Sequence, residues 1–401
     1  MSFRYPAGVV GAAVTPSGPY QASTAPGIWS LAGQANFKAQ SLWPTQGSFP
    51  PVELYSVGNN SFGQLGLGNT TYYSSPIQVG ALTTWLKIAG GNYHSIAIKT
   101  DGTLWTWGRG GSGQLGLGNT TNYSSPMQVG ALTTWSEIAG FNQTLAVKTD
   151  GTLWAWGSNA NGALGLGNVT NYSSPKQVGA LTNWLLVSCG SNFSTAIKTD
   201  GTLWAWGVNN FGNLGLGNTV FYSSPMQVGA LTIWKSVQSG TNHTLATTTS
   251  GALYSWGQNN EGQLGLGNTS YRSSPNQVGA LTTWLTVSAG YVSSFAIKTN
   301  GTMWSWGGGS FGRTALNTTT DYSSPKQVGS LTNWSTVSMG RLVGGSVKTD
   351  GTLWTWGWNS NASGAMGVGN TTNYSSPKQV GALTTWLSVK IGQKHLLALS
   401  S

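Results

Sequence analysis

The sequence is poor in cysteine, in charge and in long apolar runs. Cys189 is the single cysteine among 401 residues, which excludes an intrachain disulfide framework. It stands where other copies of a repeat carry Gly90, Ala139 or Ala289, and it reads as a small core residue. Charged residues make up 6% of the chain, and eight residues are acidic. Four of the eight, Asp101, Asp150, Asp200 and Asp350, precede a glycine in one recurring turn, so turn geometry accounts for them. Glu53, Glu137, Glu261 and Asp321 form no set with a histidine and a nucleophile. His94, His243 and His395 share one repeat position, filled elsewhere by Gln143, Phe193, Ser293 and Val343. That pattern excludes a complete ring of ligands, and histidines in separate repeats do not converge to the roughly 2 Å that a metal requires. No catalytic, cofactor-binding or metal-ligating residue is expected, and the chain is not read as an enzyme. No apolar run is long enough for a membrane helix. Residues 7–14 are apolar but short and soon stopped by Pro16, a poor signal peptide. The formal charge is +10, yet the basic residues fall one or two per repeat without a dense run. A solvated surface fits this spread better than specific nucleic-acid binding.

Glycine and tryptophan are abundant, at 59 and 21 residues. Many of them fall in one phrase, Lys-Thr-Asp-Gly-Thr-Leu-Trp-x-Trp-Gly, at 99–108, 148–157, 198–207 and 348–357, with looser copies ending at Gly257 and Gly307. Apolar alternation on both sides of Asp-Gly is the signature of a β-hairpin. The glycine closing each phrase, or its degenerate first copy, lies at 58, 108, 157, 207, 257, 307 and 357. Intervals near fifty residues mark a propeller, a solenoid or an array. Each unit continues through a run such as Gly-Gln-Leu-Gly-Leu-Gly-Asn at 63–69 to Ser-Ser-Pro-x-Gln-Val at 74–79, then to a lone Trp such as Trp85. Seven of each part are present. An open solenoid needs atypical capping repeats, and none is visible. Residues 54–58 look like the second strand of a hairpin, and residues 396–399 look like the first. Their pairing would close the ring and leave no free end. The expectation is an all-β fold, a seven-bladed β-propeller closed by strands from both termini, over residues 51–401.

Within the repeats, the paired Trp residues read as core, and the Lys before each Asp as a surface neighbour. The loop after Gly307 departs from the pattern at Arg313, and the loop after Gly357 adds Trp358. Together with Tyr123, Tyr172, Tyr222 and Tyr322 of the recurring Tyr-Ser-Ser-Pro segment, these are candidates for surface recognition. Packing of each Tyr on its own repeat is the alternative.

Residues 1–50 follow a different rule. They read as an extended arm and a short amphipathic helix ended by Pro44, with Ile28, Leu31 and Leu42 at helical spacing. Ile28, Trp29, Leu31, Phe37, Leu42 and Trp43 are the candidates for docking and assembly.

Two resemblances arise from these residues. The order Gly-x-x-His-Ser/Thr, Leu-Trp-x-Trp-Gly, Gly-Gln-Leu-Gly and a late Pro over residues 52–401 resembles the regulator of chromosome condensation repeat. That resemblance implies a seven-bladed propeller closed by both termini. The family's nucleotide exchange on a small nuclear GTPase is not carried over, because no long wedge hairpin and no basic tail is present. The segments Pro-Gly-Ile-Trp-Ser-Leu at 26–31 and Ala-Gln-Ser-Leu-Trp-Pro at 39–44 resemble tail-fibre-like and other structural proteins of marine bacteriophages. The resulting expectation is a non-enzymatic structural or adhesive virion protein without a signal peptide, made in the bacterial host cytoplasm. Its partners would be other virion proteins through the arm, a host surface glycan or protein, and a second copy of itself, with no membrane insertion. The alternative is a cellular protein-binding scaffold or regulatory propeller.

Overall fold

A computed structural model describes residues 51–359 and 364–401, together with a two-stranded pairing of Arg4–Tyr5 with Gly8–Val9. The chain separates into two units, Met1–Pro51 and Val52–Ser401. The helix expected over 28–42 and its six docking candidates lie outside the described residues.

Alternating apolar residues, tight turns and almost no helix-favouring runs produce seven four-stranded antiparallel sheets in residues 52–401. Blade 1 is Trp85–Gly90, His94–Lys99, Leu104–Gly108 and Tyr123–Gln128, in that spatial order. Blades 2 to 6 repeat it, with first strands starting at Trp135, Trp184, Trp234, Trp284 and Ser338. Blade 7 is composite: Trp386–Ile391, His395–Ser400, Glu53–Gly58 and Tyr73–Gln78. Leu54 pairs with Leu399 and Val57 with Leu396, so the expected closure is observed.

The Asp-Gly phrase makes a three-residue hairpin loop. Gly102 N donates to Lys99 O at 2.9 Å and Lys99 N to Thr103 O at 3.0 Å. Only Gly102 takes a positive φ, +77°, and a Cβ there would sit 2.1 Å from Thr133 O. Asp101 Oδ1 accepts from Thr103 N at 2.9 Å and from Thr103 Oγ1 at 2.6 Å. Thr103 Oγ1 in turn accepts from Trp105 Nε1 at 2.9 Å. The order Asp-Gly-Thr-Leu-Trp therefore encodes one local hydrogen-bond relay, repeated at Asp150, Asp200, Asn300 and Asp350.

The hydrophobic core consists of seven clusters, each shared by two neighbouring blades. The second Trp of each phrase is fully buried there. Trp107 Nε1 and Ser95 Oγ both donate to Gln64 O in the preceding blade, at 2.9 and 2.7 Å. Trp156 and Thr144 do the same to Gln114 O, and Trp306 and Ser294 to Gln263 O. The junction between blades 6 and 7 departs from this pattern. Val57 and Leu396 replace the Trp and the Ser, and the contact is apolar around Met366, Val380 and Val389.

The expectation that the phrase lysines lie at the surface is corrected by their burial. Lys99, Lys148, Lys198, Lys298 and Lys348 are buried, each with its ammonium over the first Trp of its phrase. Long methylene stems pack on the indoles, and the cation meets the ring face.

Deleting residues 51–58 is expected to give insoluble protein or a large fall in Tm. Leu396→Ala is expected to lower the unfolding free energy by about 2–5 kcal/mol, through a cavity in the apolar junction. Denaturant unfolding measures both, and a deletion variant that melts like the parent contradicts the closure.

Candidate protein-binding face

The two ends of the ring differ. At one end lie the Asp-Gly hairpin turns and the links between blades. At the other lie the turns between first and second strands and the long Gly-Gln-Leu-Gly loops. Five of the seven long loops share one scaffold, and in the other two Gly110 and Gly309 replace its Asn and donate to Asn122 Oδ1 and Asp321 Oδ1. Asn159 is fully buried, with Oδ1 accepting from Leu164 N at 2.9 Å and Nδ2 donating to Asn168 O at 3.0 Å. Asn209 and Asn259 repeat both bonds. A fixed backbone thus presents the residues that vary between copies.

Variable positions of these loops and of the turns between first and second strands hold aromatic and arginine side chains. Phe62 meets Tyr93 edge-on, with ring centroids 5.3 Å apart, and the Arg109 guanidinium lies 5.4 Å from Phe62 and 5.9 Å from Tyr93. Phe211 meets Tyr271 at 5.6 Å. The Arg341 guanidinium lies 5.0 Å from the Tyr291 ring. Phe311 stacks on Trp358 at 5.1 Å with 26° between planes. Phe311 is also a non-glycine residue at φ +62°, a strained conformation held by its loop. Between these groups, Asn92 Nδ2 donates to Asn142 Oδ1 at 2.9 Å, and Asn142 Nδ2 to Asn192 Oδ1 at 3.3 Å.

The seven first strands surround a central channel of about 420 Å³. Lys87, on the first strand of blade 1, pairs with Glu137 and donates to Ser136 O at 2.7 Å, and Lys390 lines the channel wall. Cys189 lines it too, and burial pushes its thiol up, away from the reactive thiolate. No group of three metal-ligating side chains occurs among the described residues.

The structure brings together only part of the residue set picked from sequence. Trp358 is in the Phe311 stack. Arg313 is not on the surface: it is 5% exposed, and its guanidinium lies 3.6 Å from Glu261 Oε2. Burial pushes the Glu261 carboxyl up, against the pull of Arg313. Tyr123, Tyr172, Tyr222 and Tyr322 are half-buried on their own blades. The hydroxyls of Tyr123, Tyr172 and Tyr222 accept from Asn119, Asn168 and Asn218 at 3.2–3.3 Å. The Lys326 ammonium lies 5.8 Å from the Tyr322 ring. The residues missed were Tyr93, Tyr291 and Arg341 in the turns between first and second strands, Phe62, Phe211 and Phe311, four residues after the phrase glycine, and Arg109, one residue after it. Variation at those fixed offsets was the available signal.

This architecture defines a closed, seven-bladed propeller with a constant frame and variable loops. The regulator of chromosome condensation (RCC1) repeat matches residues 53–98, 101–143, 150–197, 200–247, 250–297 and 350–399, and the chain belongs to that family. A second form of the repeat matches residues 85–114, 185–213 and 234–263. The solved structure of Prp20p from Saccharomyces cerevisiae is similar at 20% identity and a TM-score of 0.79, covering 88% of this chain and 92% of that one. Human WBSCR16 is similar at 18% identity and a TM-score of 0.78, covering 88% and 99%. At these identities the likeness concerns the fold. No curated protein sequence matches the chain.

The three histidines give the ring a pH dependence. His94 Nε2 donates to Thr144 Oγ1 at 2.9 Å, His243 Nε2 to Ser294 Oγ at 3.0 Å and His395 Nε2 to Ser95 Oγ at 3.0 Å. Each accepting hydroxyl already donates to a carbonyl, which assigns the proton to Nε2 and leaves Nδ1 buried without a partner. Burial holds His94 and His243 down at about 3 and His395 at about 4. Folded values below the unfolded one mean that unfolding takes up protons as pH falls below about 6.5. The histidine contribution to stability should be constant above neutrality and fall between about pH 6.5 and 4, by up to about 1.4 kcal/mol per pH unit per histidine. Replacing all three by Gln, the residue native at 143, should flatten that slope in Tm measured against pH. An unchanged slope contradicts the assignment.

Proposed function

We propose that this chain is a non-enzymatic protein-binding scaffold whose partner docks on the loop end of the propeller. The carrying observation is the set of aromatic–arginine groups on successive loops, above all Phe311 on Trp358 and Tyr291 with Arg341. Trp, Tyr and Arg are the residue types that dominate binding energy at protein interfaces. They stand here on a rigid frame, which lowers the ordering cost of association. The family supports the same reading: Prp20p is described by its binding to Gsp1p and histones, and a yeast RCC1 structure holds Kap60. The test is a quantitative pull-down or titration with a partner captured by the full chain. Phe311→Ala with Trp358→Ala should weaken that binding by about thirtyfold, or about 2 kcal/mol. Unchanged affinity in a folded double variant removes the loop end from the interface.

The virion reading rests on the N-terminal segment, whose sequence resembles phage structural proteins. On that reading, residues 1–50 attach the propeller to a particle through Trp29 and Trp43. Truncating them, or changing both Trp to Ala, should abolish incorporation and leave the Tm of the propeller nearly unchanged. Normal incorporation of the truncated chain contradicts it.

A further inference from the structure

Three blade junctions carry the same groove near the hairpin-turn end. Its volume is about 430 Å³ between blades 1 and 2, about 420 Å³ between blades 4 and 5, and about 510 Å³ between blades 7 and 1. At the first, Trp135, Trp154 and Leu132 form an apolar wall, facing Gln128, the backbone of Gly116 and the side chain of Lys148. Trp284, Trp304, Leu281, Gln277, Gly265 and Lys298 repeat that wall between blades 4 and 5. The repeated sequence therefore builds a repeated cavity, lined by side chains that the loop-end interface does not use.

The lysine decides the chemistry. Lys148 is 9% exposed, and its Nζ lies 3.7 Å from the Trp154 ring centroid and 5.1 Å from that of Trp135. Lys298 repeats this at 3.7 and 4.8 Å. Neither ammonium has a carboxylate within 4.0 Å among the described residues, where the salt bridges are Lys87–Glu137 and Arg313–Glu261. The neighbouring Asp150 carboxylate is engaged by Thr152 N and Oγ1 at 2.9 and 2.7 Å. An indole face attracts the cation but does not satisfy three N–H donors. An ammonium held against indole faces and open to a groove thus favours an anionic acceptor of small size. Leu132 and Leu281 at the rim are 49% exposed, which adds apolar surface beside the charge.

We propose that the two grooves lined by Lys148 and Lys298 bind acidic saccharides, with a sugar carboxylate on each of these ammonium groups. The C–H face of the sugar ring lies against the indole and leucine wall. Its hydroxyls meet the Gln amide and the glycine carbonyls. An acidic peptide fits less well. An extended peptide gains affinity by adding to a strand edge, and the outer strands carry Pro126, Pro175 and Pro325, which lack the donor that such pairing uses. Blades 4 and 7 have Thr248 and Ser400 at the lysine position, so the junctions of blade 3 with blade 4 and of blade 6 with blade 7 lack the ammonium. The binding is separate from the loop-end interface and does not rest on it.

The test titrates the full chain with tetragalacturonate by calorimetry, with cellotetraose and tetraglutamate as comparisons. Tetragalacturonate should bind at more than one site per chain, at least tenfold more tightly than either comparison. Lys148→Met and Lys298→Met should each reduce the number of sites, with circular dichroism confirming the fold. Leu132→Glu, a change at an exposed rim, should weaken binding even if the methionine variants do not fold. Three outcomes overturn the proposal: no tetragalacturonate binding at millimolar concentration, equal binding by cellotetraose or tetraglutamate, or unchanged binding in the folded lysine and Leu132 variants.

Discussion

At five of the seven junctions, one backbone carbonyl joins a blade to the next through two donors. Gln64 O, Gln114 O, Ala163 O, Asn213 O and Gln263 O each accept from an indole N–H and a hydroxyl of the following blade. A buried carbonyl left unpaired is costly, and two donors satisfy both of its lone pairs. The same Trp also fills the apolar cluster between the blades. One residue therefore fixes both the distance and the rotation between sheets. Arg313 O keeps the indole donor from Trp356, but Gly344 stands at the hydroxyl position. The last junction, between blades 6 and 7, has an apolar cluster in place of the shared carbonyl, and Ile391 N donates across it to Ser338 Oγ at 3.0 Å. The ring is built from near-identical joints, with its irregular joints gathered at blades 5 to 7.

That concentration of irregularity matters for function. Where Gly265 and Gly267 serve in blade 4, Ala315 and Asn317 hold left-handed conformations at φ +59° in blade 5. The loop keeps its shape although its glycines are gone. Arg313 turns inward to Glu261, and Phe311 turns outward to Trp358. The exchange of a neutral buried residue for an ion pair changes what the surface presents without changing the frame. Divergence on a fixed frame is what a binding face requires, and it carries the scaffold reading.

The fold was legible because its signals are local and repeated. The spacing of Trp-Gly phrases marked seven blades, and the half-hairpins at 54–58 and 396–399 marked the closure that Leu54 and Leu399 make. The binding face was less legible, because it depends on contacts between loops roughly fifty residues apart in sequence. Trp358 was visible as an insertion, but its partner Phe311 was not. Arg313 and the phrase lysines were misread for one reason. A charged residue in a charge-poor sequence reads as exposed, whereas indole faces and a Glu partner make burial favourable here. The recurring tyrosines carry hydroxyls anchored by Asn, a contact that sequence composition does not display.

The central claim is a closed, rigid ring that carries variable loops. Amide hydrogen exchange across the full chain measures it most directly. The strands Glu53–Gly58 and His395–Ser400 should exchange as slowly as His94–Lys99 in blade 1, and the loops bearing Phe62, Phe211 and Phe311 should exchange faster. Exchange in the two terminal strands faster by orders of magnitude than in blade 1 would contradict the account, because the ring would then be open where the two ends of the chain meet.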